Sequence, residues 1–289
     1  ALRMDYARPE ALVETQWLAD NLALPGIALI DASFHLPTAN RDPKAEFSIA
    51  HIPGAVFFDI NAIADKETVL PHMLPDADQF AADVGALGIS NDDHVICYDA
   101  NGGAMAAMRA FWMFTIFGHS NVSLLHGGLP QWRAEGRATD SGNVTPQPTD
   151  YTASDFKIDR VKNADDVRQN IERATAQVVD ARSPGRFHAR EPEPRDGMRG
   201  GHVPGSINLP FQNLLHMERY MRLRSADEIL AVIQGAGIDP EAPIISSCGS
   251  GVTAAVLSFA LHLLGHDTVA IYDGSWTDWG SRTDTPIET

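Results

Sequence analysis

The chain repeats itself. Ala28-Leu29-Ile30-Asp31-Ala32 returns as Gln177-Val178-Val179-Asp180-Ala181, and His51-Ile52-Pro53-Gly54-Ala55 returns as His202-Val203-Pro204-Gly205-Ser206. Val95-Ile96-Cys97-Tyr98-Asp99 returns as Ile244-Ile245-Ser246-Ser247-Cys248, and Leu124-Leu125-His126-Gly127 ahead of Trp132 returns as Ile271-Tyr272-Asp273-Gly274 ahead of Trp279. The offsets are 149, 151, 149 and 147 residues. Four matches in one order at near-constant spacing mark a duplication, and a period this long is a domain rather than a solenoid turn. A chain of 289 residues has room for two such cores, and 44% hydrophobic residues can fill them. Short apolar strands are predicted at 27–31, 94–98 and 122–125, then at 177–180, 243–247 and 268–272. Amphipathic helices are predicted at 76–87, 104–117, 226–234 and 252–264. Strands alternating with helices give the α/β class, here two tandem domains, each a mostly parallel sheet flanked by helices. Residues 1–138 are expected to form the first domain and 160–289 the second, joined by a linker at 139–159 rich in Thr, Ser, Asp and Pro.

Composition narrows the function. Lys plus Arg number 22 and Asp plus Glu 38, a formal net charge of −16. Such a chain repels nucleic acid and anionic membrane, so neither is expected as a partner. The sequence has no apolar run of transmembrane length and does not open on a charged-then-apolar leader. Its two cysteines, Cys97 and Cys248, argue against a disulfide scaffold and for a reducing compartment, the cytoplasm. No Cys/His spacing resembles a zinc site, and no metal is expected.

Chemistry concentrates around Cys248. Ala242-Pro243-Ile244-Ile245 leads into Ser246-Ser247-Cys248-Gly249-Ser250-Gly251-Val252-Thr253, and an apolar segment runs on to Leu264. The pattern is strand, tight loop, helix, with the cysteine at the strand's carboxyl end, where open α/β sheets place their ligand sites. Two glycines let the backbone aim several N–H groups inward, and the helix start adds positive potential. A thiol placed there is expected to ionise readily into its reactive form. In the first copy Asp99 stands at the position of Cys248, so that copy has the frame without the nucleophile. Cys97, two residues earlier and inside a strand, is expected to be an inert core side chain. Arg182, Arg186, Arg190, Arg195 and Arg199 crowd one segment of an acidic protein, and arginine binds planar carboxylates through paired hydrogen bonds. From composition alone this segment also fits a solvated loop with surface ion pairs. His51 and His202 recur in both copies, including the one that lacks the cysteine, which points to a structural role.

The duplicated frame, the loop Cys248-Gly249-Ser250-Gly251-Val252-Thr253 and the segment Asp273-Gly274-Ser275-Trp276 resemble the two-domain rhodanese-type sulfurtransferases, and within them the 3-mercaptopyruvate sulfurtransferases. The resemblance covers essentially the whole chain. It implies two rhodanese-like domains, the first without a catalytic cysteine. It further implies that Cys248 is the nucleophile and that Arg186 and Arg195 hold the substrate's carboxylate and keto oxygen. Arg182, Arg190 and Arg199 stay with the solvated-loop reading. A serine–histidine–acid relay would fall on Ser250 and His72. Many members carry an acid two residues after Asp59, where this chain has Asn61, so Asp59 or Asp65 would have to supply the carboxylate. The expected reaction is sulfur transfer from 3-mercaptopyruvate through a Cys248 persulfide to cyanide or a thiol such as thioredoxin or a small thiol, with no cofactor. Thiosulfate-using rhodaneses carry cations just after the cysteine, where Gly249 and Ser250 stand here. A Cys-X5-Arg phosphatase loop is excluded by Ala254. Thiosulfate:cyanide transfer and a non-catalytic sulfur-carrying module are the remaining alternatives. Because His72 belongs to the first domain and Cys248 to the second, the site is expected between them.

Overall fold

The computed structural model describes residues 5–101 and 105–289. It contains two five-stranded, all-parallel sheets of the same topology. In chain order the first is built from β1 (Leu12–Val13), β2 (Ile27–Asp31), β3 (Val56–Phe57), β4 (His94–Tyr98) and β5 (Val122–Leu125), arranged β1-β5-β4-β2-β3. The second uses β6 (Val161–Lys162), β7 (Gln177–Asp180) and β8 (Ile207–Asn208). After a small antiparallel hairpin of β9 (Leu215–His216) and β10 (Arg222–Leu223) come β11 (Ile244–Ser247) and β12 (Val269–Tyr272). The spatial order is β6-β12-β11-β7-β8. The register repeats with the sequence: Ala28 pairs with Val95, and Gln177, at Ala28's position in the second copy, pairs with Ile244.

The central strands are continuous apolar runs because helices cover both faces. Helices occupy Ala77–Ala86, Ala106–Ile116, Ala226–Gly235 and Ala254–Leu263, within two residues of the predicted spans; Ala104, in the predicted helix 104–117, lies outside the described residues. Two of these, and the helix Ala164–Arg173, start at a polar cap, Asp76, Ser225 and Asn163 respectively, whose side chain accepts an N–H from the first turn. The helices Ala106–Ile116 and Ala254–Leu263 are apolar nearly all round and pack on each other, with Phe111 edge-on to Phe259 at 4.9 Å. The stretch 139–159 is strapped to the first sheet's unit: His51 and Asp140 exchange backbone hydrogen bonds, and Thr149 N–H donates to the Gly85 carbonyl. His51 and His202 each stack on a phenylalanine, Phe47 and Phe187, and bond its carbonyl through Nδ1, the same structural device in both halves. Among the described residues no helix is long and apolar enough to cross a membrane.

The halves also exchange arms. After β3, the chain from Asp59 to Pro75 reaches the second half, where Leu74 N–H donates to Asp273 Oδ2 at 2.7 Å. After β8, the chain through the hairpin reaches the first half, where Leu223 N–H donates to His126 Nε2 at 3.0 Å. His126 is the duplicate of Asp273, so the two contacts are equivalent. Between them lies Arg109, fully buried in the helix Ala106–Ile116. Its Nη1 donates to Asp273 Oδ1 at 2.5 Å and to the Gly251 carbonyl at 3.2 Å, and its Nη2 donates to the His72 carbonyl at 2.9 Å. Taking one member from a buried pair strands the other charge away from water, at a cost of about 3–5 kcal/mol. Arg109→Met should therefore lower urea-denaturation stability by roughly that amount, and Arg109→Met with Asp273→Leu should recover part of it. A single mutant within about 1 kcal/mol of the parent would show that the pair does not join the halves.

Candidate active site

Cys248 follows β11 directly and is almost wholly enclosed. Its loop is fixed from below by the segment after β12. The Cys248 N–H donates to Ser275 Oγ at 3.1 Å, Trp276 N–H donates to the Cys248 carbonyl, and Thr277 N–H to the Gly249 carbonyl. Ser275 holds a left-handed backbone, φ 49°, a conformation costly for a non-glycine residue; its duplicate in the first half is Gly128, φ 59°. Gly251, at φ 87°, turns the loop back so that its N–H donates to the Cys248 sulfur at 3.1 Å. A Cβ there would lie 2.6 Å from the Asp273 carbonyl oxygen, so the position admits only glycine. Among the described residues the N–H groups of Gly249, Ser250, Val252 and Thr253 have no hydrogen-bond acceptor, so they can meet an anion at the sulfur. In the first half Asp99 stands at the position of Cys248, and its carboxylate accepts from Asn101 N–H at 2.7 Å and Ala107 N–H at 2.8 Å. Cys97 is fully buried within β4, and burial pushes its thiol far above the ordinary range.

Above the loop stand two arginines. Arg186 lies against Gly249, where a Cβ would meet its Nη2 at 2.8 Å. Its guanidinium is held flat by Glu193 through Nε and Nη2, both at 2.8 Å. Arg195 is half-buried and has no side-chain hydrogen-bond partner among the described residues. Burial lowers its pKa, and its charged neighbours are Cys248, Arg186 and Glu193. Arg182 departs from the solvated-loop expectation. It is only 2% exposed, clamped by Asp180, and its guanidinium lies 4.4 Å over the Trp276 ring. It also approaches Glu193 at 3.3 Å, so the chain Asp180, Arg182, Glu193, Arg186 fixes the outermost guanidinium. Arg199 likewise serves the backbone, donating to the carbonyls of Trp279, Gly280 and Thr285, while Arg190 is exposed as expected.

His72 comes from the first half's arm, in a strained left-handed conformation, φ 39°. It is buried, and its Nδ1 faces Asn61 Oδ1 at 3.0 Å. The carboxylate expected from Asp59 or Asp65 is not there. Asp59 turns back on its own chain to accept the N–H groups of Asn61 and Ala62, and Asp65 accepts that of Glu67. These short loop-turn bonds keep both acids at home. With Oδ1 accepting, Nδ1 carries the proton and Nε2 presents a lone pair; Nε2 is buried and has no partner among the described residues. Burial first, then the charges of Arg109 and Arg195, push His72 down to about 3, against a contact with the Ser250 backbone. Sequence reasoning gave no role to Arg109 or Glu193, and it used Asp273 and Ser275 only as part of the segment that carries the resemblance. Arg109 had a signal: it is the single charge in the apolar helix Ala106–Ile116. Among the described residues no cluster of His, Cys, Asp and Glu is set to hold a metal ion.

A model of the rhodanese-like domain matches the chain twice, at residues 14–135 and 163–282. The chain belongs to the rhodanese family. Among curated rhodanese relatives, human 3-mercaptopyruvate sulfurtransferase is 42% identical over 94% of this chain and 92% of that protein. Thiosulfate/3-mercaptopyruvate sulfurtransferase 1 of Arabidopsis thaliana is 41% identical over 96% and 78%. Among solved rhodanese structures, SseA from Escherichia coli, described as a 3-mercaptopyruvate sulfotransferase, superposes with a TM-score of 0.83 at 40% identity, covering 92% of this chain and 98% of that one.

The His72 environment has a direct readout. Its imidazole C–H resonances should not titrate between about pH 5 and 9. Asn61→Asp puts a carboxylate on Nδ1, which favours the imidazolium and should bring a titration up into that window. A parent ring that titrates near the free value of about 6.5 would contradict the buried, cation-flanked placement.

Proposed function

We propose that the protein is a 3-mercaptopyruvate sulfurtransferase that carries sulfur on Cys248. The reading rests on one juxtaposition: a cysteine at a strand end, ringed by unbonded N–H groups, with Arg186 and Arg195 beside it. A 2-oxo acid offers a carboxylate next to a carbonyl, and two guanidinium groups can orient both. Arg186 is neutralised by Glu193 and held flat, so it sets geometry. Arg195, without a carboxylate clamp of its own, adds attraction for the anion. The relatives named for this activity match nearly the full length of the chain, which supports the same reading.

The step balances without a cofactor. The Cys248 thiolate attacks the substrate's sulfur, forming an S–S bond. The substrate's C–S bond breaks, and its electron pair goes to carbon, giving the enolate of pyruvate. The proton from the substrate thiol ends on that enolate, so pyruvate leaves and Cys248 keeps a persulfide anion. Sulfur is oxidised to the sulfane level and the carbon is reduced correspondingly. The loop N–H groups stabilise the anionic outer sulfur. His72, neutral and facing Ser250, accepts a hydrogen bond from the substrate thiol through Nε2 and helps pass the proton without holding it. A thiol acceptor, small or carried by a protein such as thioredoxin, or cyanide then takes the outer sulfur.

Thiosulfate is the rival donor, favoured by the dual name of the Arabidopsis relative. Against it, no cation stands at Gly249 to Thr253. The two donors measured side by side separate the readings: kcat/KM should be higher for 3-mercaptopyruvate. Arg195→Ala should reduce that value about ten- to a hundredfold, the cost of one charge-assisted contact, and should reduce thiosulfate turnover less. An equal loss for both donors would mean that the arginine only attracts anions. Cys248→Ser should abolish transfer and the mass gain of one sulfur after donor exposure, because a serine hydroxyl neither ionises near neutrality nor stores sulfur. Cys97→Ser should leave most of the rate. A carrier that gains one sulfur and never turns over would overturn the enzyme reading.

A further inference from the structure

The two halves differ at one buried spot in a way that names a ligand chemistry. In the second half the Asp180 carboxylate is bound by the guanidinium of Arg182, two residues on. That guanidinium also donates to the Gly201 carbonyl at 2.7 Å, faces Glu193 and lies on Trp276. The first half builds the same turn: Ser33 N–H donates to Asp31 Oδ1 at 2.9 Å, as Arg182 N–H donates to Asp180 Oδ1 at 3.0 Å. By the duplication, Ser33 stands where Arg182 stands, Ala50 where Gly201 stands and Leu129 where Trp276 stands. Shortening the arginine and the tryptophan opens a cavity of about 460 Å³, within the range of small-molecule sites. Asp31, Ser33, Glu46, Ala50 and Leu129 all line it.

The floor of this cavity is a carboxylate without a counter-charge. Asp31 is 2% exposed and has no ion-pair partner among the described residues. Burial, with Asp99 behind it, pushes its pKa up to about 6 against hydrogen bonds from Ser33 and the Tyr98 hydroxyl. The cations at the rim do not serve it. Arg41 is held by both oxygens of Glu46, and Arg133 is exposed. We propose that the cavity binds a guanidinium group, carried by an arginine-like small molecule, in the place that the Arg182 guanidinium takes in the second half. The planar fork meets Asp31, the Ala50 carbonyl and Glu46, Leu129 covers its face, and Arg133 at the rim meets a carboxylate at the ligand's other end. The site is separate from Cys248 and does not depend on which donor the enzyme uses.

The test is a calorimetric titration of the full chain with L-arginine near pH 8, beside L-lysine and the tripeptide Gly-Arg-Gly. Saturable binding of L-arginine or the tripeptide supports the site, and the stronger of the two tells a free ligand from an arginine on a peptide. Ser33→Arg rebuilds the second half's own arrangement and should weaken binding at least tenfold while leaving sulfur-transfer kcat within about twofold. If that variant does not fold, Asp31→Asn serves, with the same expected loss. Lysine lacks the planar fork and should bind at least about tenfold more weakly. Binding should also fall about tenfold from pH 8 to pH 5 as Asp31 takes up its proton, with Tyr98 bonded to it, Asp99 behind it, Glu46 and its partners Arg41 and His35 to one side and Arg133 at the rim. Equal binding by Ser33→Arg, equal binding of lysine, no pH dependence, or no saturable binding of either arginine probe up to roughly 50 mM overturns the proposal.

Discussion

One guanidinium holds this protein's chemistry together. Arg109 is fully buried, so its charge costs several kcal/mol unless polar partners meet it. It is met by Asp273, whose other oxygen takes Leu74 N–H, and by the carbonyls of Gly251 and His72. Its three partners are one residue of the cysteine loop, one of the segment that supports it and one of the arm from the first half. The shared guanidinium thus ties three pieces of chain into one geometry. Apolar packing between the two long helices could tolerate a slide of an ångström, whereas a forked donor with three acceptors cannot. The first half therefore helps to build the surroundings of Cys248: it supplies Arg109 and His72.

Duplication supplied two equal frames, and the differences between them are few and chemical. Where one half has Cys248 among N–H groups without acceptors, the other has Asp99, whose carboxylate accepts from Asn101 N–H and Ala107 N–H. Where one half has Ser275 bracing the cysteine, the other has Gly128, the residue type its backbone conformation prefers. The second half accepted a strained serine because its hydroxyl holds the Cys248 N–H and donates to the Tyr272 carbonyl. Such strain is tolerable where the surrounding bonds over-determine it, and Ser275 is fully buried.

The strands and long helices were legible in the sequence because they follow local rules: apolar runs for buried parallel strands, and near-continuous apolar helices between them. The duplicate fixed the register, since each strand could be checked against its copy. The cysteine loop was legible for the same local reason. What escaped were pairings between residues far apart in the chain. Nothing near Arg109 announces Asp273, 164 positions away. Arg182 resembled its loop neighbours because only the fold reveals that Trp276 lies beneath it. The acid sought for His72 was misplaced because Asp59 and Asp65 prefer the N–H groups two residues on, a contact that costs no loop closure. Asn61 was read as a missing acid, whereas it faces the imidazole directly.

The exchanged arms have a consequence for how the chain comes off the ribosome. Synthesis runs from the amino end, and domains generally fold as units in that order. The cover of the cysteine, carried on the first half, therefore exists before the cysteine does. When Cys248 emerges, the helix with Arg109 and the turn with His72 can already be in place, and the last strand, β12, brings Asp273 to close the joint. The newly made Cys248 spends little time without its shelter, because the shelter is translated first.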